Sequence, residues 1–293
     1  MTESRRPLII AHRGASGDRP EHSLAAHALA IEQGCDVIEP DLVFSADAEL
    51  LVRHDLGLAR STDIAGRAEF AGRAVLVDGQ HDWLAADFQW SELQRLRCRE
   101  PWPQRSHARD GAYRILRFAD LLDLAVAEGL RRDRPILVYP ETKHPAWHRQ
   151  RGLDFVEALA RIFDERGLSG PAAPVWLQSF EWDVLDELKA RSGLRCFALV
   201  DAQTEFDPPQ LRGRFDGVGI AKQLIDPRTE SGCELVTRLR DNQLAIHAWT
   251  FRHDLPGAGW ADADAELLSY LALPLEALFC DFPGRARRLR DRR

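Results

Sequence analysis

Eight apolar, strand-like runs, most of them separated by helical patterns, constrain the fold of this chain more than any other feature. The runs fall at residues 8–11, 36–42, 136–141, 175–180, 195–200, 216–220, 244–250 and 278–282. Between them lie stretches with helical periodicity. Ser23 can N-cap a helix running to Gln33, and Gly34 can stop it. Further helical patterns cover 118–128, 154–166, 182–190, 233–242 and 263–271. Alternating βα units require a parallel sheet, because a parallel return needs a long crossover. Eight such units predict a closed TIM (β/α)8 barrel, an α/β fold that 293 residues with 45% hydrophobic content can fill as one domain, residues 1–293.

One strand-like run does not belong to the barrel count. Residues 49–54 follow the second strand after a turn near Ser45–Ala48, too soon for a parallel crossover. A hairpin folded back over the barrel mouth is expected, which carries His54 to the rim instead of into the wall. Residues 56–113 are then long for a single βα connection, and only residues 91–97 show a helical pattern. Connections of that length usually act as lids or binding loops, so this segment is read as an insertion over the C-terminal face.

Several partner classes drop out on composition. A net charge of −7 with no basic face argues against nucleic acid. No window approaches the ~18 apolar residues of a membrane span, so no stable membrane insertion is expected. The apolar run after the polar first six residues is too short for a signal-peptide core. As written, the chain reads as cytoplasmic, although a periplasmic protein with a trimmed N-terminus reads the same. The five cysteines are widely spaced without a C-x-x-C pair, which fits reduced, structural thiols. Oligomeric state is not written in the sequence.

Active sites of such barrels lie at the C-terminal ends of the strands, so the residues ending each run matter most. The first run ends in Ala11-His12-Arg13-Gly14, the second in Glu39-Pro40-Asp41, the third in Glu141-Thr142-Lys143. The hairpin ends in His54-Asp55, the fourth run in Gln178-Ser179-Phe180, the seventh in Trp249-Thr250, the eighth at Asp281. Glu39 and Asp41, two apart, face one side of a strand, and Glu141 adds a third carboxylate from the neighbouring strand. Adjacent carboxylates repel unless a proton or a cation lies between them. An all-oxygen set suits one hard divalent cation, Ca²⁺ or Mg²⁺.

His12 and His54 converge on these acids from different segments. Two imidazoles can serve as base and acid in one displacement, since both titrate near neutrality. A lone His is more often structural, and the other histidines are read that way, with His144 and His148 the nearest exceptions. Arg13 and Lys143 put fixed positive charge where an anionic ester would need it, or simply pair with the acids. Trp249 is open between a wall against substrate carbon and a plain core residue. Asp281 is open between orienting a neighbour and capping the next turn.

In order along the chain, His12-Arg13-Gly14-Ala15, Pro20-Glu21, Glu39-x-Asp41, His54-Asp55 and Glu141-x-Lys143 resemble the glycerophosphodiester phosphodiesterase family. Gln178-Ser179-Phe180, Trp249-Thr250 and Asp281-x-Pro283-Gly284 extend the likeness over nearly the whole chain. Tyr139-Pro140-Glu141-Thr142-Lys143 and the insertion resemble the larger bacterial subfamily, whose members are often exported. The resemblance implies a TIM barrel, a divalent cation on Glu39, Asp41 and Glu141, and acid–base work by His12 and His54. It assigns Arg13 and Lys143 to phosphate. It implies hydrolysis of a small glycerophosphodiester to sn-glycerol 3-phosphate and an alcohol, as part of glycerol and lipid metabolism. One departure stands out: Pro20-Glu21-His22-Ser23 replaces the family's usual Pro-Glu-Asn-Thr, and puts His22 near the mouth with an expected effect on substrate fit. Two rival readings are a sphingomyelinase D-like phospholipase, which needs an apolar mouth, and a non-catalytic binder of phosphorylated ligands, which should lack a His or an acid.

Overall fold

The computed structural model describes residues 6–77 and 79–293. The polar start read from the sequence therefore lies, apart from Arg6, outside the described residues. The chain forms the expected α/β barrel. Eleven strand segments make the main sheet. Two pairs of these are single runs, each interrupted once: Val37–Glu39 with Asp41–Phe44, and Leu137–Val138 with Glu141–Thr142. One more segment, Leu50–Val52, is the arm of a hairpin, which leaves eight barrel strands.

Parallel pairing runs around the ring. The first strand, Leu8–His12, lies between Val37–Glu39 and the last strand, Ala277–Cys280. The two interrupted runs pair with each other, and Glu141–Thr142 pairs with the fourth strand, Trp176–Ser179. From there the ladder continues through Arg195–Val200, Gly217–Ala221 and Ala245–Phe251 back to the last strand. The interruptions were not expected. They fall at Pro40 and Pro140, and a proline cannot donate to a ladder. Both still accept: the Glu141 N–H donates to the Pro40 carbonyl at 2.9 Å and the Gln178 N–H to the Pro140 carbonyl at 3.1 Å. The sheet is kinked but not opened just where the acids sit.

Residues 50–52 pair antiparallel with Asp41–Phe44, so the back-folded hairpin is present. Helix Leu24–Glu32 starts at Ser23, whose hydroxyl accepts from the Ala26 N–H at 3.1 Å, and Gly34 follows with φ +80°. Asp154 caps helix Phe155–Glu165 in the same way, through the N–H groups of Val156 and Glu157. Helices Pro208–Leu211 and Pro283–Asp291 complete the outer layer and were not anticipated; each opens on prolines, which fit the first turn of a helix. The expected helix at 91–97 is a single turn, Trp90–Leu93. The segment after His54 also holds an unanticipated hairpin, Val75–Val77 with Gln80–Asp82.

Three apolar clusters hold the structure. The largest lies between the strands and the helices. A second sits under the segment after His54, built on Leu58, Phe70, Trp83, Phe88 and Leu93 against Val43 and Leu51 of the hairpin. The third fills the barrel interior with Ile10, Val37, Tyr139, Trp176, Phe197 and Phe279, and His247 stacks on Phe197 at 4.3 Å. This plug sets the depth of the site. Strand side chains alternate, so the residue two places beyond a plug residue faces the same way, one layer higher. Ile10 leads to His12, Val37 to Glu39, Tyr139 to Glu141 and Trp176 to Gln178. All five cysteines are free, and only Cys233 is exposed. No helix among the described residues is long and apolar enough to cross a membrane.

Candidate active site

Above the plug lies a cavity of about 150 Å³, lined by His12, Arg13, Glu39, His54, Glu141, Lys143, Gln178, Phe180, Trp249 and Arg252 among others. Of the eight residues singled out in the sequence, seven line it. Asp41 is the eighth; it is buried and lies 3.2 Å from the lining residue Arg13. Glu39, Asp41 and Glu141 are all buried and can each offer an oxygen such that the three lie within 4.8 Å of one another. Glu39 accepts from the Arg13 backbone N–H at 2.9 Å and from Gln178 Nε2 at 3.0 Å. Glu141 accepts from Lys143 Nζ at 2.6 Å.

The electrostatics of this triad are strained. Burial, then repulsion from Asp41 and Glu141, pushes the Glu39 carboxyl well above its usual range. Burial likewise lifts Glu141 to about 8 against the pull of Lys143, with Asp41 adding repulsion. Burial would raise Asp41 too, but Lys143, Arg13 and the His22 hydrogen bond outweigh it and hold Asp41 low. Three buried carboxylates, two of them driven toward the protonated state, fit a divalent cation of the oxygen-seeking type.

Each histidine is tethered by an aspartate. His12 Nδ1 donates to Asp281 Oδ1 at 2.7 Å, and His54 Nδ1 donates to Asp55 Oδ1 at 2.6 Å. A carboxylate only accepts, so the proton sits on Nδ1 and Nε2 keeps its lone pair. Burial, then the charge of Arg13, moves both imidazoles down to about 4, against the pull of their aspartates. They are neutral near pH 7. His54 is the more open, with 31% of its side chain exposed against 12% for His12. Asp281 thus orients His12, while the final helix takes Phe282 as its cap residue.

Arg13 has φ 59°, and its guanidinium is gripped by Glu21 at 3.1 Å and Asp41 at 3.2 Å. These carboxylates more than offset burial and lift its pKa. Arg13 and Lys143 each pair with an acid, and each lines the cavity. Trp249 is half-buried against Phe180, with an edge contact at 5.9 Å, and its indole N–H has no partner.

His22 is not at the mouth. It is buried, with φ 60°, and its Nε2 lies 2.9 Å from Asp41 Oδ2. A left-handed φ explains why a small amide is at home at this position, since Asn adopts it readily. His148 is a core residue between Phe44 and Phe155. Residues without an assigned role from sequence are Gln178, Asp55, Glu21 and Arg252. Gln178 was within reach of the period-two argument, being two beyond a plug aromatic.

The fold and its rim define the class first: an α/β-barrel enzyme with two tethered histidines above a buried acidic triad. Residues 12–285 match the Glycerophosphoryl diester phosphodiesterase family. A glycerophosphodiester phosphodiesterase of Arabidopsis thaliana is 27% identical over 287 residues, covering 86% of this chain and 76% of the relative. One from Haemophilus influenzae is 32% identical over 195 residues, covering 62% of this chain and 52% of its own length. Among solved structures, an Oleispira antarctica phosphodiesterase in complex with the product sn-glycerol-3-phosphate superposes with a TM-score of 0.73 at 20% identity, over 98% of each chain. A glycerophosphodiester phosphodiesterase from Agrobacterium tumefaciens gives 0.65 at 18% identity, over 95% of this chain and 97% of its own. These structural likenesses speak for the fold. The chain belongs to the glycerophosphoryl diester phosphodiesterase family.

Proposed function

We propose that the chain hydrolyses small glycerophosphodiesters to sn-glycerol 3-phosphate and an alcohol, with one divalent cation, Ca²⁺ or Mg²⁺, held by Glu39, Asp41 and Glu141. The observation that carries this reading is the pairing of two aspartate-tethered imidazoles with that triad in one cavity. When bound, such a cation supplies charge stabilisation for the phosphoryl oxygens. Arg13 and Lys143 add fixed positive charge on the cavity wall, pre-set by their acids.

His12, neutral and with the Nε2 lone pair free, takes the proton from the nucleophile, either water or a neighbouring glycerol hydroxyl. The hydroxyl route gives a cyclic phosphate that water then opens. His54, more open to solvent, acquires a proton beside the substrate's negative charge and passes it to the leaving alcohol. Asp281 and Asp55 keep each ring in the tautomer the transfer needs. Phe180 and Trp249 wall the cavity on its apolar side. The complete set of acids and histidines favours this reading over a retired phospho-ligand binder. Separating it from a sphingomyelinase D-like phospholipase takes a substrate panel: choline release from glycerophosphocholine, with sphingomyelin and lysolipid untouched, is the expected result, and the reverse pattern refutes the assignment.

A further inference from the structure

The segment between the hairpin and Tyr113 does more than cover the barrel. Arg105, deep in that segment, is buried, with its guanidinium spent on four contacts. Its Nη2 donates to Asp281 Oδ2 at 2.5 Å and its Nη1 to the Ser16 carbonyl at 3.1 Å. Its Nε and Nη2 hold Asp254, at 2.7 and 3.1 Å, from the loop after the seventh barrel strand. Two of these reach His12 by separate routes. Asp281 grips the His12 ring, and Ser16 donates its hydroxyl to the His12 carbonyl at 2.8 Å. Arg105 therefore braces the ring and the backbone of one residue at once.

The other histidine has a matching support. Arg60, from the same segment, donates to Asp55 Oδ2 at 3.2 Å, the oxygen that His54 leaves free. Arg60 and Arg105 share a contact, the Trp102 ring, at 5.6 and 5.4 Å from its centroid. Arg252, 3.2 Å from Asp281, approaches the same ring at 5.4 Å. Cation–ring contact holds a guanidinium without consuming its donors, so each remains free to fork onto a carboxylate.

We propose that Trp102, Arg60 and Arg105 form a single positioning unit for both histidines: Arg105 fixes His12 through Asp281 and Ser16, and Arg60 fixes His54 through Asp55. Neither arginine is a catalytic residue; each acts through an aspartate. This rests on the acid–base roles proposed above. The geometry explains why an elaborate insertion with its own apolar cluster sits at this point of the barrel. His54 arrives on a hairpin, and a hairpin arm alone is a weaker mount than a barrel strand.

The test uses the full-length protein with Arg105→Met, Arg105→Lys, Arg60→Met and Trp102→Leu. Arg95→Met serves as a control, an exposed arginine of the same segment that pairs with Glu69 away from the cavity. Glycerophosphodiester turnover is read as kcat and KM separately, and ¹⁵N-histidine spectra report the ring tautomers, with His12 assigned by His12→Asn. Supporting groups of this kind change activity by ~10–100-fold. Arg105→Met and Trp102→Leu are expected to lower kcat by that factor with KM within about 3-fold, since the transition state and not ground-state binding is affected. Arg105→Lys should recover part of the loss, Arg60→Met should lower kcat in the same way through Asp55, and Arg95→Met should keep kcat near wild type. His12 should lose its single Nδ1–H tautomer in Arg105→Met. A kcat within about 2-fold of Arg95→Met in both Arg105→Met and Trp102→Leu, or an unchanged His12 tautomer, overturns the proposal. If the wild-type protein turns over no glycerophosphodiester, the functional reading falls instead, and the spectra still decide whether Arg105 sets His12.

Discussion

Glu141→Gln isolates the charge balance of the acidic triad. At no more than 4.8 Å apart and an effective dielectric near 20, two ionised carboxylates repel by about 3.5 kcal/mol or more. Burial first, and this repulsion after it, favour protons on the cation-free triad, lifting Glu141 to about 8 and Glu39 well above its usual range. A divalent cation replaces those protons, so its binding should strengthen as pH rises from 6 to 8.5. At a cation concentration 100-fold above Kd, binding adds about 2.7 kcal/mol to folding. Spread over an unfolding entropy of roughly 0.6 kcal/mol/K for 293 residues, that is a Tm increase of about 4 °C. Differential scanning fluorimetry in chelator, then with Ca²⁺ or Mg²⁺ added back, reads it directly. Glu141→Gln should keep a cation-free Tm near or above wild type while losing most of the cation-induced rise. A rise that is absent in wild type, or undiminished in Glu141→Gln, refutes the reasoning.

Other expectations follow from the same geometry. Alanine at His12 or at His54 should lower kcat by two or more orders of magnitude with an unchanged circular dichroism spectrum, and near-normal turnover in both variants contradicts their roles. Asp281→Asn presents an amide to His12 Nδ1 and removes one carboxylate from Arg105 and Arg252; a kcat loss of ~10²–10⁴ with a lower Tm is expected, because a tethering carboxylate sets the tautomer and buried Arg105 keeps only Asp254 as its counter-charge. Stability should also fall in acid. Burial moves His247 down to about 3 and His148 to about 4, so the unfolded chain takes up these protons first. Their contribution is intact above 6.5 and is lost as pH drops from 6.5 toward 4, by on the order of a few kcal/mol. A urea midpoint that is flat across that window contradicts the burial of neutral imidazoles.

The barrel was legible because its signal is periodic and repeated. Eight apolar runs, helices capped at Ser23 and Asp154, and the short link before residues 49–54 each obey local rules. The site was legible because strand ends are where such barrels gather polar groups, so His12, Glu39 and Glu141 could be named in advance. The missing parts are those set by distant contacts. Arg105 and Asp281 are 176 residues apart in sequence, and no local pattern joins them. His22 looked like a mouth residue because its neighbours are; only its left-handed backbone turns the ring inward onto Asp41. The breaks at Pro40 and Pro140 were readable, since proline seldom sits inside a ladder, but the strength of the apolar runs masked them.

The central claim is that the cavity performs cation-assisted hydrolysis of a glycerophosphodiester through His12 and His54. The most direct measurement takes purified protein, strips it with chelator, and follows release of sn-glycerol 3-phosphate from the choline, ethanolamine, glycerol and inositol diesters during Ca²⁺ or Mg²⁺ add-back. The account predicts negligible product in chelator, restored turnover on at least one diester with added cation, and none from His12→Ala under the same conditions. Full turnover in chelator, or no turnover of any diester with either cation, contradicts it.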